Sequence, residues 1–194
     1  MKARTFNFRF EALSDLMFGK MVRDEKRGDE THQQHAERTW KLKINTDKDG
    51  NCCISPFAIK NALTEAAKRL QMKVPGQGKS TFTKLFKQGV LVVDPIMLTK
   101  DGKKPIRIDD VEPQMLSVPS DGMSGSGKRV DRIFPTVHHW VGDGALMILD
   151  PKITDDVLRQ HLEEVGMFIG FGSMRVGNGG INGRFKVLEL KEAI

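Results

Sequence analysis

The chain has 194 residues, with 31 Lys plus Arg against 25 Asp plus Glu, a formal charge of +6, 19 glycines, two cysteines and no tyrosine. That length suits a single domain over 1–194, and 39% hydrophobic with 29% charged residues describes a globular chain, not a disordered or collagen-like one. No run nears the roughly 18 apolar residues of a membrane helix, and the start MKARTFNFRF lacks a signal peptide's apolar stretch, so neither a membrane partner nor a secreted disulfide scaffold is expected.

Phe6, Phe8 and Phe10 alternate with Asn7 and Arg9, the period of a half-buried strand. Residues 19–38 are highly charged and nearly free of large apolar side chains, which predicts a solvated loop or a projecting helical excursion. Trp40, Leu42 and Ile44 alternate again and predict an extra strand, ended by the turn Asp47-Lys48-Asp49-Gly50. The adjacent Cys52 and Cys53 are a poor disulfide framework and read as strand residues in a reducing cytoplasm.

Ser55 is a good helix N-cap and Pro56 suits the first helical position. Phe57 or Ile59, Leu63, Ala66, Ala67 and Leu70 mark the apolar face, and Val74-Pro75-Gly76 stops the helix. The stretch Gly76 to Thr81 imitates a P-loop, but the position five before its second glycine holds Lys73, and it follows a helix terminator. It reads as a turn with a cationic helix start. A short amphipathic piece from Phe82 to Phe86 leads to a strand at Val90 to Val93. Residues 94–140 are rich in Pro, Gly and charge and read as a weakly structured insertion, with a strand near Ile133-Phe134.

Ala145 to Leu149 is a buried strand. Thr154 caps a helix with Asp155 and Asp156 in its first turn, with Val157, Leu158, Leu162 and Val165 as its face and Gly166 as its C-cap. Phe185, Val187 and Leu188 or Leu190 form the closing strand. The class is α+β. Without the insertions at 19–48 and 94–140, the order is β-α-β-β-α-β, a ferredoxin-like palm of the kind RNA-recognition modules also use.

His32, His35, His138 and His139 lack a third ligand at metal spacing, and no cofactor is expected. The run Ile169 to Arg184 is more informative. Gly170, Gly172, Gly177, Gly179, Gly180 and Gly183 allow backbone N–H groups close to a phosphate, and Arg175 and Arg184 suit bidentate phosphate contact. The competing reading is a long flexible hairpin. A second flexible basic element, Ser120 to Arg132, carries Lys128, Arg129 and Arg132. A pI near 9.4 points the same way, toward a polyanion.

Asp49-Gly50-Asn51-Cys52-Cys53-Ile54-Ser55-Pro56-Phe57-Ala58-Ile59-Lys60-Asn61-Ala62-Leu63 resembles the strand-to-helix entry of the RAMP superfamily, a turn followed by I-P-G-S-S-L-K-G-A-L-R. Lys60 matches the motif lysine, whereas Ser-Pro-Phe-Ala replaces the usual Pro-Gly-Ser-Ser. The C-terminal run resembles that superfamily's glycine-rich loop. The chain is thereby similar to the crRNA-binding backbone subunits of multi-subunit CRISPR effector complexes, and to short solitary phage-borne proteins with the same two elements.

The resemblance implies a palm, a thumb at 19–48 after the first strand, and copies stacked head-to-tail as a filament along a single strand. Lys60, Lys128, Arg129, Arg132, Arg175 and Arg184 would contact phosphate, with Arg23, Lys26 and Arg27 doing so from the thumb, and Met17, Phe18 and Met21 would wedge between bases. It implies sequence-tolerant binding of single-stranded nucleic acid, RNA before DNA, with further copies or CRISPR effector subunits as partners. Two other readings stand beside it. One is a RAMP-type ribonuclease using metal or histidine, with Asp24, Asp29, His32 and His35 as its candidates. The other is a phage protein that mimics a backbone subunit to inhibit an effector complex, or a virion part.

Overall fold

The computed structural model describes residues 3–120 and 127–193. Strand β1 (Arg4–Ala12) forms where the alternation requires it, with Phe6, Phe8 and Phe10 buried. Phe10 stacks on Phe185 at 4.3 Å between ring centroids, and Phe185 on Phe171 at 5.0 Å, so the first strand, the last strand and the glycine-rich loop share one aromatic column. The elements that follow are β2 (Leu16–Met17), α1 (His32–Thr39), β3 (Cys53–Ile54), α2 (Pro56–Leu70), α3 (Thr83–Gly89), β4 (Val90–Leu91) and β5 (Ile96–Lys100). Then come β6 (Lys104–Pro105), β7 (Glu112–Pro119), β8 (Arg129–Val137), β9 (Val141–Ile148), α4 (Asp155–Glu164) and β10 (Phe185–Glu192).

The main sheet runs β10-β1-β9-β5-β3, with β4 also on β9 and β6 on β5, and its strands pair antiparallel. Helices α2 and α4 pack together, and the residues they bury share one core with Phe6, Phe8 and Phe10. In α2 the core face is Ile59, Ala62, Leu63, Ala66 and Ala67, and the Ser55 hydroxyl accepts from the Phe57 N–H as the cap chemistry requires. The opposite face of the sheet carries Asn7 and the ion pair Arg9–Asp143 at 2.7 Å, and no aromatic side chain among the described residues. Stacking of bases on the sheet, as RNA-recognition modules do it, therefore has no platform there. No described helix is long and apolar enough to cross a membrane.

A second, three-stranded sheet runs β2-β8-β7. Here the structure departs from the sequence reading. Residues 94–140 are not weakly structured: they supply β5, β6 and the long β7–β8 hairpin. The expected strand from Trp40 to Ile44 is a 3-10 turn over Trp40–Lys43, because the chain leaves α1 already helical and the Ile44 N–H bonds back to the Lys41 carbonyl. Gly166 does not end the helix after α4. A π-helical turn, Val165–Ile169, carries the chain on to Gly170 (φ 70°), and Gly166 is small because a Cβ there would lie 2.2 Å from the Phe185 carbonyl oxygen.

Candidate nucleic-acid interface

The two stretches that stand out in the sequence meet across a cleft of about 340 Å³. One wall is the start of α2, through Ser55, Ala58 and Asn61. The second is the glycine-rich loop, Gly170 to Ser173 with Arg175. The third is the chain leaving β2, Phe18-Gly19-Lys20, and Asn45 lines the space between them.

The glycine-rich loop is a compact fold of its own, not a flexible hairpin. Phe171 N–H bonds the Gly183 carbonyl, Asn182 N–H the Met174 carbonyl and Gly183 N–H the Asp15 carbonyl, at 3.0, 3.1 and 2.7 Å. Ser173 N–H reaches the Met17 carbonyl at 2.7 Å and docks the loop on β2. This contact needs small residues: a Cβ on Gly172 would lie 2.2 Å from the Met17 carbonyl oxygen, and one on Gly19 would lie 1.9 Å from the Ser173 hydroxyl. The close approach therefore serves the loop's own packing, and places Arg175 at the cleft.

Among the described residues no carboxylate lines the cleft. Its cations are Lys20, which forms no ion pair among the described residues, and Arg175, whose Nη2 stands 3.1 Å from Glu65 Oε2 on α2. Asn45, Asn61 and Ser173 add neutral donors and acceptors. Among the described residues, an anion entering this space meets the unpaired ammonium of Lys20 and the guanidinium of Arg175, whose charge is shared with Glu65.

The other expected site residues divide. Met17 and Phe18 are 2% and 3% exposed and belong to the core, so neither wedges between bases; Met21, 78% exposed, is the one of the three at the surface. Lys60 turns away from the cleft. Its ammonium donates to the carbonyls of Phe86 at 3.0 Å and of Val90, closing the end of α3, and burial lowers its pKa. Arg184 lies beside the loop: its N–H donates to Ser14 Oγ at 2.9 Å and its Nη2 is 3.8 Å from Met167 Sδ. Gly177, Gly179 and Gly180 form the outer turn of the loop, where Gly179 N–H bonds the Val176 carbonyl.

Lys128, Arg129 and Arg132 sit toward the far end of the β7–β8 hairpin: Arg129 is seven residues, roughly 23 Å, and Arg132 four residues, roughly 13 Å, along β8 from where it pairs with β2. Arg129 donates to the Ser117 carbonyl and Arg132 to the Ser120 carbonyl, tying the hairpin across. Residues 121–126 of this basic element lie outside the described residues.

In the 19–48 segment, Arg38 gathers the acids, reaching Asp24 at 2.9 Å and Glu30 at 2.7 Å, and holds the Glu30 carboxyl down to about 2. Arg23, Lys26 and Arg27 are left exposed without ion pairs among the described residues. His35 Nε2 is 2.9 Å from the Asp24 carbonyl, and no group of three or more His, Cys, Asp or Glu placed to hold a metal occurs among the described residues. The segment packs on the second sheet through Lys43, which donates to the Ile133 carbonyl at 2.8 Å. Cys52 and Cys53 are buried and free, and burial pushes the Cys52 thiol up to about 12, which leaves it unreactive.

One cleft residue escapes the sequence reading: Lys20 follows the β2 strand with no motif around it. Phe57, beside the cleft, was legible: it lies two residues from Ile59, which a helix turns to the opposite side, so only one of them can face the core.

No family profile and no curated protein matches the chain. Solved structures do. A chain in the type III-B Cmr-beta assembly bound to cognate target RNA superimposes with a TM-score of 0.55 at 10% identity over 98% of this chain, which spans 61% of that one's length. Cmr6 from Pyrococcus furiosus superimposes with a TM-score of 0.51 at 15% identity over 96% of this chain and 99% of its own. The chain has a RAMP-like fold.

Proposed function

We propose that this protein binds single-stranded nucleic acid, RNA in preference to DNA, through its phosphates and without reading sequence. The observation that carries this reading is the cleft, lined by no carboxylate among the described residues, in which α2, the glycine-rich loop and Lys20 converge. The RAMP-like fold supports it, and the target RNA bound in the Cmr-beta assembly is the reason to place RNA first. The order β10-β1-β9, followed by the broken edge β4/β5, with α2 and α4 packed on each other, supports a ferredoxin-like palm.

The β7–β8 hairpin and the 19–48 segment pack against each other. In this reading they project together and extend the basic track with Arg23, Lys26, Arg27, Lys128, Arg129 and Arg132. Copies would repeat head-to-tail along the strand, since a heterologous interface that does not close gives an open filament, and CRISPR effector subunits would be the partners. Binding is favoured over cleavage because Arg38 already engages Asp24, the acid nearest His35.

Titration of labelled single-stranded RNA between about 50 and about 200 mM salt tests the reading, with affinity expected to fall linearly on logarithmic axes. Lys20→Ala with Arg175→Ala removes two contacts and should flatten that slope by about 1.4. Binding that ignores salt, or no binding to any single strand, contradicts it.

A further inference from the structure

Phe57 is a ring that the fold does not use. It is 78% exposed in the first turn of α2. Phe6, Phe8 and Phe10 are buried under the helices, as are Phe171 and Phe185 in the aromatic column. Phe134 and Phe168 reach the surface beneath cations, with Lys43 and Arg69 at 5.8 and 4.4 Å from their ring centroids. Among the described residues Phe57 has neither a ring partner nor a cation. Alanine is the better helix former and would expose less apolar surface there, so the aromatic is not explained by local stability.

Its position gives it a use. Ser55 and Ala58, on either side of Phe57 in sequence, both line the cleft whose other walls hold Lys20 and Arg175. We propose that a nucleobase of the bound strand stacks on the Phe57 ring while a neighbouring phosphate faces Lys20 and Arg175. This rests on the single-strand binding proposed above and names the group that enters the site. Every base has a π-face, so such a platform adds affinity and keeps binding sequence-tolerant. It also supplies stacking in a chain that has no tyrosine and whose open sheet face has no ring among the described residues.

Wild type, Phe57→Ala and Phe57→Trp are titrated with a short oligouridylate and with an abasic ribose-phosphate oligomer of equal length. Phe57→Ala should weaken oligouridylate binding roughly tenfold, Phe57→Trp should retain it, and all three should bind the abasic strand alike. The thermal midpoint of the exposed Phe57→Ala variant should stay at the wild-type value, which controls for folding.

Equal affinity of wild type and Phe57→Ala for oligouridylate overturns the stacking role, as does an equal loss on both oligomers. A change in oligomeric state of Phe57→Ala without RNA, with RNA affinity intact, overturns it in favour of a contact between copies. If wild type binds neither oligomer, the single-strand reading itself fails, an outcome distinct from a silent Phe57.

Discussion

His161 sits fully buried on α4, stacked on Phe86 at 4.0 Å, with Nδ1 donating to the Val157 carbonyl at 2.7 Å and Nε2 without a partner among the described residues. Burial pushes its pKa down from 6.5 to about 4, so the folded protein holds the ring neutral. Between those two values the unfolded chain takes up a proton that the folded one refuses. Stability is therefore full above 6.5 and is lost as the pH falls toward 4, by roughly 2 kcal/mol at about pH 5. Thermal unfolding across this window should show the loss, and His161→Phe should remove it. A variant with the wild-type pH slope would contradict the assignment. Lys60 shows the same lesson at a residue once expected to meet phosphate: its charge is used inside the fold, on two carbonyls.

At the scale of elements, the glycine-rich loop is held by contacts that a single methyl would break. A Cβ on Gly180 would lie 1.9 Å from the Met174 carbonyl oxygen, whereas Gly179 opens on empty space at φ 79°. Gly180→Ala should unseat the loop and cost more than about 2 kcal/mol, while Gly179→Ala should cost about 1 kcal/mol from backbone conformation alone. Chemical denaturation of the two variants checks this; equal costs would mean that the loop is not packed this way.

The sequence could point to these glycines but could not say what they approach, because a phosphate and a neighbouring carbonyl both demand a missing Cβ. Helix α2 was legible from its cap and period. The 3-10 turn was not, since apolar residues at 40, 42 and 44 fit an alternating strand equally well. The β7–β8 hairpin was hidden for another reason: its first strand, EPQMLSVP, includes two prolines and no clean alternation, and its pairing lies in partner residues far along the chain.

For the whole molecule, the +6 charge matters less than its placement. Lys20 and Arg175 occupy a cleft between the two sheets' connecting segments, Arg38 neutralises the acids beside Arg23, Lys26 and Arg27, and the hairpin carries Arg129 and Arg132 outward. A separate groove lined by Lys84, Lys87 and Lys152 is also cationic, so net charge cannot choose between the two surfaces. Photocrosslinking to thiouridine-substituted single-stranded RNA, with the attached peptides read by mass spectrometry, makes that choice. Crosslinks should fall in residues 17–23, 55–61 and 170–176. Crosslinks confined to the Lys84, Lys87 and Lys152 groove or to the open sheet face, with none in those three segments, would contradict the cleft as the nucleic-acid interface.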